Sequence, residues 1–164
     1  MADAAVVGRR RTAVHDLLLA AITAGLLAGA AMMAWVAAGA ALAELPPWHP
    51  LEVAAAAFTG RDPVGAGLGG LASGGLLWAV VSVALALLYA PIIPRDFPFA
   101  PAAMLGTAYS FLVMAIITSV VLPRVNPLMR AAMADVGGTW VFGYTVFGIM
   151  LGFIPVFRRR VFAR

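Results

Sequence analysis

Cysteine and lysine are both missing from this 164-residue chain, and histidine occurs only twice. Without cysteine there are no disulfides, thiolate nucleophiles, iron–sulfur clusters or cysteine-ligated zinc. Charge of either sign is scarce too: seven acidic and eleven basic residues make up 11% of the sequence, against roughly 25% in a soluble domain. Apolar residues take their place, at 63% of the chain with a mean hydropathy of +0.99. A soluble fold of this size could not hide so much apolar surface, whereas a lipid bilayer accepts it.

The scarce charges cluster between long charge-free intervals. No charged residue lies between Asp16 and Glu44, an interval of 27 positions, and about 20 apolar residues suffice for a helix to cross a bilayer. Further intervals run from Pro63 to Pro94, from Asp96 to Arg124 and from Asp135 to Arg158. They predict spans at 17–41, 70–90, 101–121 and 137–157. Pro101 suits a first helical turn, Pro123 reads as a stop, and Pro155 reads as a kink in the last turn of span four. A secreted protein behind a signal peptide would show one apolar run; four are present, so the first is read as a retained span. The expected fold is all-α, an integral membrane four-helix bundle forming a single transmembrane domain over 1–164.

All eleven basic residues are arginines, and they are unevenly placed. Eight (Arg9, Arg10, Arg11, Arg95, Arg158, Arg159, Arg160 and Arg164) fall on the side of the termini and the 91–100 loop; three (Arg61, Arg124 and Arg130) fall on the other. The positive-inside rule then puts both termini in the cytoplasm. Trp48 and Trp140 are expected near the outer interface and Tyr89 near the inner one, with Trp35 and Trp78 deeper as packing residues. The arginines at span ends are explained by topology and anionic headgroups, so no nucleic-acid partner is expected.

An internal repeat runs through the chain. LPPWHPLEVAAAAFTG at 45–60 and LPRVNPLMRAAMADVG at 122–137 match at eight of sixteen positions with an offset of 77 residues, the Pro-x-x-x-Pro-Leu element carrying most of the likeness. Each copy follows an odd span and precedes an even one. The halves, about 17–90 and 101–157, therefore read as two helical hairpins in parallel orientation, unlike the inverted repeats of many transporters. Pro50-Leu51 and Pro127-Leu128 can each open a short surface helix, with Leu51, Ala54, Ala55 and Phe58 toward lipid or the bundle and Glu52 toward water; irregular reentrant loops are the alternative.

Small residues four apart let helix backbones approach where lipid gives no hydrophobic drive. Such pairs are Gly25 and Gly29 in span one, Gly70 and Gly74 in span two, and Gly148 and Gly152 in span four. Span three carries Gly106, Thr107, Tyr109, Ser110, Met114, Thr118 and Ser119. Its hydroxyls are expected to bond their own backbone carbonyls; a polar path would instead need them to converge with Tyr144.

No span has an ionisable residue in its middle, which weighs against a proton pump, an ion-coupled transporter and an intramembrane protease. His15 beside Asp16 resembles a base with an orienting carboxylate, but Asp16 near a helix start is read as a dipole partner. His49, with Glu44, Glu52 and Asp62 near it in sequence, is read as a loop hydrogen-bonding or partner-contact residue ahead of a metal ligand; Asn126 is its counterpart in the second repeat. Because the two histidines fall on opposite sides of the membrane, one copy cannot hold a haem between them. Arg130 and Asp135, with Glu52 and Arg61 in the other hairpin, are read either as pairing across the outer surface or, equally well, as ordinary charged loop faces. Gly65 to Gly75 lacks the lysine of a phosphate loop. No catalytic, cofactor-binding or metal-binding residue is therefore assigned.

Ala24-Gly25-Leu26-Leu27-Ala28-Gly29 and Leu45-Pro46-Pro47 resemble the glycine- and alanine-rich first span and following proline pair of the YagU-like group of small bacterial inner-membrane proteins. The resemblance covers the first third of the chain and implies a bacterial inner-membrane location. The expected function is non-catalytic: an accessory or structural subunit of a larger membrane complex, such as a respiratory or other electron-transfer assembly, in contact with lipid and with other membrane subunits or copies of itself. A small oligomeric channel or carrier for a small solute is the alternative. The lack of native cysteine makes the orientation directly testable. In intact cells, a membrane-impermeant maleimide should label Pro47→Cys but reach Ala163→Cys only after permeabilisation; the reverse pattern would invert the topology.

Overall fold

The computed structural model describes residues 2–59, 67–125 and 138–160, and every element among them is helical. In chain order these are α1 (Ala2–Leu42), α2 (His49–Thr59), α3 (Gly67–Tyr89) with a 3-10 turn at Ala90–Ile92, and α4 (Phe99–Ile116), which runs through a π-helical turn (Ile117–Val121) into α5 (Leu122–Val125). Then come α6 (Thr139–Leu151) and α7 (Ile154–Arg160). Four stretches are long and apolar enough to cross a membrane: Val14–Leu42, Gly67–Ile92, Phe99–Val121 and Thr139–Arg160. The second repeat copy from residue 126 to 137, with Arg130 and Asp135, and the 60–66 segment with Arg61 and Asp62 lie outside the described residues.

The helix ends follow from local chemistry. α1 stops in a Schellman motif: the Leu45 N–H donates to the Ala40 carbonyl at 2.9 Å and the Glu44 N–H to the Ala41 carbonyl at 3.2 Å. That closure needs a left-handed residue at Glu44, whose φ is 59°, where glycine is the usual occupant. The apolar stretch of span three ends at Val121, as expected, but the helix itself continues through Pro123 to Val125. The preceding turn widens so that the Leu122 N–H reaches back five residues to Ile117, and the proline, which has no N–H to give, is absorbed in the continuing helix. Pro155 acts in the expected direction: α6 closes with 3-10 bonds from Gly152 to Ile149 and from Phe153 to Met150, and a separate short helix then carries the proline.

The order of the spans across the bundle is α3, α1, α6, α4, set by extensive α1–α3, α1–α6 and α4–α6 packing. Glycines make the two outer contacts possible. A Cβ on Gly25 would sit 2.9 Å from the Ser82 carbonyl and from Val83 Cα, and one on Gly29 would strike the Ser82 side chain. On the other side Gly106 and Gly148 meet directly, each too close to the other's backbone for any side chain. Gly106 follows Gly29 by the same 77 residues that separate the two proline elements, and both serve the contact inside their own hairpin. Gly74 does something else: it receives α2, whose Leu51 carbonyl lies against it, and so builds no span-to-span contact.

At the end that holds both described terminal segments, arginines fasten the 3-10 turn to α7. Arg158 Nη1 donates to the Ile93 carbonyl at 3.1 Å, and Arg95 Nη2 donates to the Arg158 carbonyl at 3.3 Å. The loop after α3 and the end of α7 therefore share one face of the molecule, as four crossings require.

Two stability changes follow. Glu44→Gly should raise unfolding stability in detergent by about 1 kcal/mol by relieving the left-handed residue. Gly148→Leu should lower it by about 1–3 kcal/mol through overpacking, whereas Gly69→Ala, with open space around it, should leave it nearly unchanged; thermal unfolding of the purified variants checks both.

Candidate functional site

The tyrosines decide where the bundle closes. The Tyr89 hydroxyl donates to the Ala102 carbonyl at 2.6 Å and the Tyr109 hydroxyl to the Leu85 carbonyl at 3.1 Å, with the two rings 5.3 Å apart. Both bonds tie α3 to α4, and both lie in the half of the bundle nearer the termini. Beyond them α4 follows α6 away from α3, and the outer flanks of the two hairpins do not pack together as α1 and α6 do.

The wedge left between them is a crevice of about 370 Å³. Its walls are Leu77, Val81 and Leu85 on α3 and Ile117, Val121 and Leu122 at the π-helical turn, while Met32, Trp140, Tyr144 and Phe147 form its floor and Ala54 of α2 closes one end. Val81 and Val121 are each partly exposed and form the two rims. No charged side chain among the described residues lines it.

Polar atoms around the crevice are few. The Trp78 indole donates across to the Gly29 carbonyl at 2.9 Å, which fixes its ring 5.8 Å from that of Trp140. Trp140 Nε1 is covered and has no partner among the described residues. Tyr144, only 8% exposed, lines the crevice and its hydroxyl has no hydrogen bond among the described residues. Three hydroxyls of span three are spent locally, Thr107 on Ala103, Ser110 on Gly106 and Thr118 on Met114, each four residues back, while Ser119 is exposed and makes no such bond among the described residues. Tyr109, expected in any polar path with Tyr144, is instead engaged with α3.

The two histidines lie far apart. His15 is exposed, with Nδ1 3.9 Å from Asp16, and the rise of α1 alone puts about 40 Å between it and the far end of that helix. His49 stands beyond that far end. It is buried, 4% exposed, and its Nδ1 lies 3.9 Å from Glu52, itself only 8% exposed. Glu52 therefore does not face water as the amphipathic reading of this segment required. α2 is pressed onto α3 along the Gly74 contact, and both polar side chains are buried together with Val53 and Ala54. His49 Nε2 has no partner among the described residues. Among those residues no three His, Asp or Glu side chains gather as metal ligands.

Compared with protein-family models, with curated proteins and with solved structures, the chain matches none. What the described residues offer chemically is an apolar slot whose lining holds two hydroxyls, those of Ser82 and Tyr144, and no charged side chain. The tyrosine clasp is checkable by substitution: Tyr89→Phe and Tyr109→Phe should each cost about 0.6 kcal/mol, the usual worth of a hydrogen bond between membrane helices, and Trp78→Phe a similar amount.

Proposed function

We propose that this chain is a non-catalytic subunit of a larger assembly in the bacterial inner membrane, multi-pass, with both termini in the cytoplasm. The observation that carries the reading is the unpartnered face of α1. Ala30, Ala34 and Ala38 form an exposed stripe at four-residue spacing, the small-residue pattern that admits a second helix closely. Beside it stand Trp35, 45% exposed, and Phe142, 62% exposed, their rings 6.2 Å apart. Large aromatics next to a small-residue stripe are suited to anchoring a partner. The Gly25 and Gly29 face of the same helix is already occupied by α3, and this exposed stripe lies beside that packed face.

Further support comes from what the spans contain. Among the described residues most polar side chains in the middle of the spans are committed to backbone carbonyls or covered, which suits packing. The arginine asymmetry favours cytoplasmic termini, and the likeness of the first span to the YagU-like group favours the inner membrane. We read the two hairpins as a duplicated unit, and an electron-transfer complex as the expected class of parent assembly.

Mass spectrometry of what co-purifies with the natively expressed chain in mild detergent tests the reading. Stoichiometric larger subunits should appear and should be lost from Ala34→Leu, whose own unfolding temperature stays unchanged because the site is exposed. Recovery of this chain alone as a defined oligomer, insensitive to Ala34→Leu, would favour a channel or carrier.

A further inference from the structure

The crevice between α3 and the π-helical end of α4 has a size, a depth and a polarity that together specify an occupant. Its volume, about 370 Å³, falls within the range of about 300–1,000 Å³ seen for ligand pockets. Its depth is limited. From Leu77 to Leu85 the α3 wall rises about 12 Å, less than half of the hydrocarbon core of about 30 Å. Below Leu85 the Tyr109 and Tyr89 hydrogen bonds shut the space between the same two helices. A partner helix crossing the whole bilayer cannot lie in a slot that ends halfway, whereas a single acyl chain, which belongs to one leaflet, can.

Two polar groups fit the rest of a lipid. Tyr144 presents an unpartnered hydroxyl from the floor, and a helical side chain leans toward the start of its helix, here the end of α6 nearest the membrane surface, where ester oxygens lie. Arg124 follows the Leu122 wall at that same end, is exposed, and spends one guanidinium N–H on the Val120 carbonyl at 2.8 Å; its remaining donors suit a phosphate. We propose that the crevice is a site for one phospholipid of the leaflet on the α2 side. One acyl chain enters sideways between the Val81 and Val121 rims, because Ala54 closes the α2 end, and fills the wedge; an ester carbonyl accepts from Tyr144, and the phosphate lies by Arg124. This assignment is independent of the subunit role, because it concerns the opposite flank of the bundle from the α1 stripe.

The test is native mass spectrometry of the full chain released from nanodiscs of dioleoyl phosphatidylethanolamine, with solvent extraction and an absorbance spectrum of the extract. The expected result is one phospholipid per chain. Val81→Trp or Val121→Trp, blocking the crevice from either rim, should cut retention at least tenfold, and Tyr144→Phe about threefold, the equivalent of one membrane hydrogen bond. Leu112→Trp, on the outward face of α4, should retain lipid like the unaltered chain. Two independent rim variants separate loss of the site from loss of fold, since each must keep the unfolding temperature of the Leu112→Trp control. Absence of retained lipid, or retention undiminished in both rim variants, would each overturn the proposal, as would a quinone in place of phospholipid when the same measurement is made on the chain extracted from cellular membranes.

Discussion

The bundle depends on backbone-to-backbone contact at a few glycines. In lipid, apolar side chains gain nothing by leaving their surroundings for one another, so helices associate where they can come close enough for dense van der Waals packing. Gly25 and Gly29 allow this between α1 and α3, and Gly106 and Gly148 between α4 and α6. Each hairpin is thereby zipped along its own length. The two are joined through α1 and α6, where Val36 and Met32 fit over Gly143.

Zipping the hairpins this way leaves one flank unfinished. A duplicated pair related by an axis along the membrane normal would close α3 against α4 as it closes α1 against α6. Instead the tyrosines close only half of that flank, and a π-helical turn, the device that accommodates Pro123, forms the wall of the other half. The same residue that interrupts regular helix bonding thus shapes the crevice between α3 and α4. α2 adds the end wall, and in doing so buries His49 and Glu52, which sequence alone assigned to a surface.

The spans were legible in the sequence because charge exclusion and a length near 20 residues are demanded by the bilayer itself. Their ends were less so. Phe99 opens α4 two residues ahead of Pro101, and Pro123 passes through a helix because a π-helical turn can absorb what a residue type alone forbids. Small-residue pairs identified two packing faces, at Gly25 with Gly29 and at Gly148 with Gly152, but not their partners, since Gly74 serves α2 and Gly106 has no second glycine four residues away to mark it. The hydroxyls of Thr107, Ser110 and Thr118 bond as local geometry dictates. Tyr109 was not readable, because a hydrogen bond to Leu85 across 24 positions depends on tertiary placement. The burial of Glu52 was likewise invisible: periodicity separates the faces of a helix but does not say which of them another helix will cover.

The account turns on a bundle closed at its terminal half and open at the other. Since the chain has no cysteine of its own, pulsed electron spin resonance on two pairs of introduced spin labels measures this directly. One pair, at Leu88 and Leu105, reports the clasped half of the α3–α4 flank; the other, at Leu76 and Val120, reports the crevice. The account predicts a narrow, short distance for the first pair and a longer one for the second, collapsing toward no shorter value when Tyr109 is replaced by Phe. Equal short distances at both levels would mean that α3 and α4 pack along their whole length, and would contradict it.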